Sequence, residues 1–348
     1  MTDSISTQYL WSSMQLSVTK LQSELATAQS ESATGQYADL GLQLGDQSGE
    51  EISLQNENGV LQTLTNNNAL VTARMSTTTA ALNSLHTDAQ NALNSLTEYV
   101  PETGQGLTLQ TLGANGLQSL ISTTNTSVDG QYLFGGVNSA VAPMTNYFDP
   151  PAAAQTAVQS AFASYLSGLV PPATAQTVTA AQMRTFLASS AFTSQFQGAA
   201  WSANWSSASS ANISSNISPT ETIDTSTNAN QPGFQELAQA YTMLNEFAGA
   251  SINSSAMQSV VNQASSMISQ AMNSLTSTEA TLGSAQQRVT EANDNMSAQM
   301  TILQTQIDNL DNVNTYQVAT QVNSLATQIQ TAYSLTAQLQ KLSLVNYL

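Results

Sequence analysis

The chain has no cysteine, which removes disulfide staples, thiolate metal sites and thiol nucleophiles. Basic residues are almost as scarce: 5 Lys+Arg stand against 22 Asp+Glu, a net charge of -17. A chain this negative repels phosphate, so neither nucleic acid nor an anionic membrane surface is an expected partner. No run approaches the ~18 apolar residues of a membrane-spanning helix. The opening Met1-Thr-Asp-Ser-Ile-Ser6 lacks the basic start and apolar core of a cleaved secretory signal. The one histidine, His86, sits beside a helical apolar stripe and reads as a flank residue. No phosphate-binding loop, dinucleotide fingerprint or nucleophile elbow is present. Ser17-Val-Thr-Lys20 matches S-x-x-K only on an amphipathic helix, and Glu50-Glu51 reads as a helix start. Asp308 to Asn314 lacks two marks of a calcium loop, because Val313 stands at its glycine position and Ala319 at its glutamate position. The expectation is a protein that is not an enzyme and uses no cofactor or metal.

Only 8% of residues are charged, so the polar surface is made of Ser, Thr, Asn and Gln. All 8 prolines fall between Pro101 and Pro232, leaving both ends free for long helices. The C-terminal quarter uses that freedom. Apolar residues recur at steps of three and four from Met257 through Leu275, Leu282, Val289, Met296, Leu303 and Ile307. A second run follows: Val318, Val322, Leu325, Ile329, Leu335, Leu339 and Leu342. Such spacing puts one apolar stripe on each helix, and a stripe this long requires partner helices.

The N-terminal part offers matching stripes. The first is Leu10, Met14, Val18, Leu21, Leu25 and Ala28, closed by the Gly35 break. Leu40-Gly-Leu-Gln-Leu-Gly45 reads as a glycine-punctuated, non-helical stretch. The second stripe runs Leu61, Leu64, Asn68, Val71, Met75, Thr78, Leu82, Leu85 to Leu96, and a shorter helix follows over about 107–124. Val128-Asp-Gly-Gln-Tyr-Leu-Phe-Gly-Gly136 reads as turn, short strand and second turn. Residues 141–232 differ in character: two short helices, then a Ser/Asn-rich segment of short strands and loops around Trp201 and Trp205. The expected fold is mainly α: a long antiparallel, coiled-coil-like helical rod built from both chain ends, with a small mixed α/β inserted domain.

Three local stretches resemble bacterial flagellar axial proteins, in particular the hook–filament junction family, hook-associated protein 3. Asp129-Gly-Gln-Tyr-Leu-Phe-Gly-Gly136 is similar to its G-x-Y-L-F-G-G element. Leu342-Ser-Leu-Val-Asn-Tyr-Leu348 is similar to its terminal ending, and Glu24 to Gln36 resembles its N-terminal segment. The acidic P-S-D-D-P turn common after the first helix is absent, and Asp39 to Gly45 stands in its place.

The resemblance implies a structural role: joining hook to filament as a ring of self-associating copies between a neighbouring hook-associated protein and flagellin. It implies export through the flagellar type III apparatus without a cleaved signal, an extracellular location on the flagellum, and a cytoplasmic chaperone on the C-terminal helix. It divides the chain into a terminal coiled-coil layer, 1–45 with 311–348, disordered in the monomer. A helical rod, 46–140 with 233–310, and an outer domain, 141–232, complete the division. The assembly interface is then Leu10, Met14, Val18, Leu21 and Leu25 with Val318, Val322, Leu325, Ile329, Leu335, Leu339 and Leu342. Two other readings compete: a flagellin-type filament subunit, and a glycan-adhesive module at 141–232, presenting Trp201 and Trp205 on a helical stalk.

Overall fold

A computed structural model describes residues 2–100, 105–249 and 252–345, with side chains from residue 9 to residue 338. The mainly α class holds. The helices are α1 (Thr2–Thr34), α2 (Leu40–Leu44), α3 (Ser48–Thr97), α4 (Gly106–Thr124), α5 (Ala153–Ser167), α6 (Ala180–Ala188), α7 (Ser190–Thr193), α8 (Gly198–Asn204), α9 (Pro232–Phe247), α10 (Ser254–Asp311) and α11 (Thr315–Val345). Two antiparallel hairpins complete it among the described residues: β1 (Ser127–Val128) with β2 (Gln131–Tyr132), and β3 (Ser214–Ser218) with β4 (Glu221–Asp224). The chain divides into a terminal unit, residues 1–62 with 297–348, and a central unit, residues 63–296.

In the central unit the helical stripes of α3 and α10 enter one core. Met75, Leu82, Leu85, Ala89 and Leu96 are buried in the same cluster as Leu275, Leu282 and Val289. The helices α4 and α9 pack so closely that a Cβ on Gly113 would lie 2.4 Å from the Asn245 backbone nitrogen, and one on Gly116 would meet the Tyr241 ring. Aromatic residues fill the remainder: Phe247 touches the rings of Phe162, Phe186 and Phe192. Tyr147 donates its hydroxyl to Glu246 at 2.9 Å, and burial first, then the Glu246 charge, pushes that phenol far above its ordinary range.

The hairpins are tied to the helices by polar contacts. Asp129 and Gly130 both have positive φ, the backbone of a two-residue turn that matches strand twist. Arg74 of α3 donates to the Gln131 side chain at 2.5 Å and to the Tyr132 carbonyl at 3.0 Å. Gly136, also at positive φ, leaves no room for a side chain between the Ser209 and Ala211 carbonyls, while Phe134 packs edge-on to Phe234. The Tyr-Leu-Phe-Gly-Gly motif is thus a packing joint. Asn68 of α3, fully buried, donates to the Ile217 carbonyl of β3 at 2.7 Å and to Asn293 of α10 at 2.8 Å. Arg288 of α10 grips Glu221 of β4 through two nitrogens, at 2.9 and 2.6 Å.

Two expectations need correction. Leu40–Leu44 is helical: the Asp39 carboxylate caps it by accepting from the Leu42 amide at 2.9 Å, and Gly45 closes it at φ 48°. Trp201 lies in α8, not in a strand or loop, and both Trp201 and Trp205 are buried. Their rings stack on each other at 5.6 Å, and Tyr147 stacks on Trp205 at 5.2 Å. Neither indole face is open to a sugar, so the glycan-adhesive reading loses the residues on which it stood.

The helix exteriors are satisfied locally. Thr19, Thr27, Thr77, Thr87, Thr276, Thr301 and Thr327 each donate a hydroxyl to the carbonyl four residues earlier. Among the described residues, ion pairs are limited to Lys20–Glu24 and Arg288–Glu221.

Candidate assembly interface

Within the terminal unit α1 and α11 lie side by side because each carries one narrow apolar stripe. Gly35, at φ 76°, ends α1 and lets the chain turn, and the Val313 amide donates back to the Gly35 carbonyl at 2.9 Å. The Tyr37 amide donates to the Asp311 carbonyl at 3.0 Å, and Gln36 bridges to Asn312 where α10 gives way to α11. A polar rung lies further along the pair, where Gln22 donates to the Tyr333 hydroxyl at 2.6 Å.

The seam is thin. Its buried cluster comprises Ala28, Val313, Val318 and Leu325, with Leu21, Leu25, Tyr37 and Val322 packed around it. Ile329 is also buried, while Met14 and Val18 are half-buried. Leu10 and Leu335 are exposed. The side chains of Leu339 and Leu342 lie outside the described residues. The ten described residues of the two expected stripes therefore do not form a single face. Those from Leu21 to Ile329 meet within the chain, whereas Leu10 and Leu335 face solvent.

Further large apolar side chains, not on the expected stripes, face solvent in the same unit. Tyr9, Trp11, Leu16, Tyr316 and Tyr333 are exposed, Leu16 at 72% and Tyr316 at 82%. They fall between stripe positions, as Trp11 does beside Leu10 and Leu16 beside Met14, and a search for one face per helix passes over them. A helix pair with apolar residues on its outer side as well as its seam has unmet demand for burial.

No group of three or more acidic or histidine side chains suited to a metal occurs among the described residues, and none of their helices is long and apolar enough to cross a membrane. His86 is half-buried on α3. Asp311, 4% exposed, sits at the end of α10; burial, and then the nearby Asp308, push its carboxyl above the ordinary value.

No curated protein matches the chain. Two family models do. Residues 5–139 match the bacterial flagellin N-terminal helical region, and residues 265–348 match the bacterial flagellin C-terminal helical region. Together they cover more than half of the chain, and they meet the helices α1, α3, α10 and α11 described above. The chain belongs to the flagellin superfamily, whose members are structural, non-enzymatic proteins that self-assemble in the extracellular bacterial flagellum.

Proposed function

We propose that this protein joins hook to filament, assembling as a ring of copies through its terminal helices. The observation that supports assembly through these helices is the apolar surface of α1 and α11: Tyr9, Leu10, Trp11, Leu16, Tyr316 and Leu335 stay exposed on a pair whose own seam is thin. Such a surface is covered only when other helices lie against it. Residues 1–45 with 311–348 are then an inner layer that gains its order as copies pack. Residues 46–140 with 233–310 form the helical layer around it, and 141–232 face outward. Ordering the inner layer costs on the order of 1–2 kcal/mol per residue, so several neighbours must contribute burial at once. The neighbours are a second hook-associated protein and flagellin. Before export in unfolded form through the flagellar type III apparatus, a cytoplasmic chaperone covers the α11 stripe.

The resemblance of Tyr132-Leu-Phe-Gly-Gly136 and Leu342-Ser-Leu-Val-Asn-Tyr-Leu348 to the junction family favours the junction over the filament. A filament subunit is the second reading, because the exposed terminal helices serve it equally. Electron microscopy of flagella separates the two. The label belongs in the Val170-Pro-Pro172 loop, where Val170 is 98% exposed. Label confined to the hook–filament junction supports the proposal; label along the whole filament makes the chain a filament subunit.

A further inference from the structure

The Asp311 carboxylate is an anomaly in the terminal unit. It is 4% exposed, and its Oδ1 has no hydrogen-bond partner among the described residues. A buried carboxylate oxygen with no donor is destabilising, and such groups in folded proteins are paired. Asp311 lines an open cleft of about 430 Å³ whose other walls include Gln36, Gln55, Asn58, Gln62 and Gln304. Side-chain amides both donate and accept, so the cleft suits a long polar side chain that ends in a cation. Asp311 is the one charged residue among its lining, and a single carboxylate makes a poor metal site.

The chain has few cations to place there. Arg74 is engaged by Gln131 and Tyr132, and Arg288 by Glu221. Arg184 belongs to the central unit, outside the terminal helices through which copies are proposed to pack, and the Lys341 side chain is outside the described residues. Lys20 is exposed, on α1 of the terminal unit, and held only by Glu24 at 3.8 Å in a solvent-facing pair. It cannot reach Asp311 of its own chain. The helix α1 runs unbroken from Lys20 to Thr34, roughly 20 Å at ~1.5 Å per residue, and Asp311 is bonded to the segment just beyond it. In a ring each copy presents one patch to a different patch of the next, so the two residues can meet between copies.

We propose that Lys20 of a second copy of this chain enters the amide-lined cleft and pairs with Asp311. The pairing rests on the self-association proposed above. It makes the contact directional: one copy supplies the ammonium and the next supplies the carboxylate.

Carbodiimide treatment of flagella carrying the protein tests it, because that reagent condenses a carboxylate and an amine into an amide only when they touch. Peptide mass spectrometry is expected to find Lys20 joined to Asp311 in assembled material, absent from dilute monomer and absent from Asp311→Asn. Asp311→Lys is expected to lower incorporation at least about tenfold, and adding Lys20→Asp to recover most of it. Circular dichroism of both Asp311 variants as monomers verifies the helical fold. A copy-to-copy cross-link at Lys341 without the Lys20–Asp311 link overturns the pairing. So does a rise in wild-type melting temperature with calcium chloride that Asp311→Asn abolishes, since the occupant is then a metal ion. Isolation of the protein from flagella as single copies only, read by native mass spectrometry, overturns the self-association itself.

Discussion

The central and terminal units solve the same problem, two ends of one chain brought together as helices, with different amounts of burial. In the central unit the close approach of α4 to α9 at Gly113 and Gly116 and the Phe162–Phe186–Phe192–Phe247 cluster leave a core with no need of a neighbour. In the terminal unit the α1–α11 seam buries a handful of aliphatic side chains and leaves aromatic ones in water. The difference teaches where stability and assembly are stored. Close packing inside a unit supports the fold of the single chain; apolar surface left outside drives association of many chains.

That contrast is broken most severely by emptying the central core. Phe247→Ala removes a ring buried among three others and is expected to cost about 3–5 kcal/mol, read as a large drop in thermal midpoint. An unchanged midpoint means the core is looser than its burial implies. A smaller loss, about 1–3 kcal/mol, is expected for Asn68→Ala, which strands the Ile217 carbonyl and removes the link to Asn293. Hydrogen exchange locates that loss: faster exchange is expected in β3 and β4 than in α9. The terminal unit sharpens the comparison by reversing the order. Trp11→Ala, on an exposed face, is expected to shift monomer stability by under about 0.5 kcal/mol. Its incorporation into flagella is nonetheless expected to fall, as counted by immunogold labelling. Normal incorporation with normal stability removes Trp11 from the interface.

Much of the fold is legible in the sequence because burial on long helices leaves a periodic trace. The steps of three and four that end at Leu96, and those that run from Met257 to Ile307, coincide with α3 and α10. Asp129-Gly130 is legible because few residues adopt the backbone of that turn. The Leu40 segment is misread because its glycines look like breakers, whereas Asp39 and Gly45 cap a single short helix. Trp201 and Trp205 are one helical step apart, but no longer stripe continues that spacing. Their burial is decided by Phe196 nearby and by Tyr147 and Asn230, which are distant in sequence; Asn230 accepts the Trp201 ring N–H at 2.9 Å. The interface is half legible for a related reason: a stripe records what the chain buries, and Tyr9, Trp11 and Tyr316 are among the residues it does not bury by itself.

The threonines on the helix exteriors have a consequence for the water outside. Screening by dissolved salt acts on charges, and a hydroxyl bonded to the carbonyl one turn back carries none. With the i,i+4 ion pairing of the described helices reduced to Lys20–Glu24, their solvent faces have almost nothing for salt to weaken. In an appendage made of such helices, dissolved salt acts chiefly on the mutual repulsion of the acidic side chains, which it relieves.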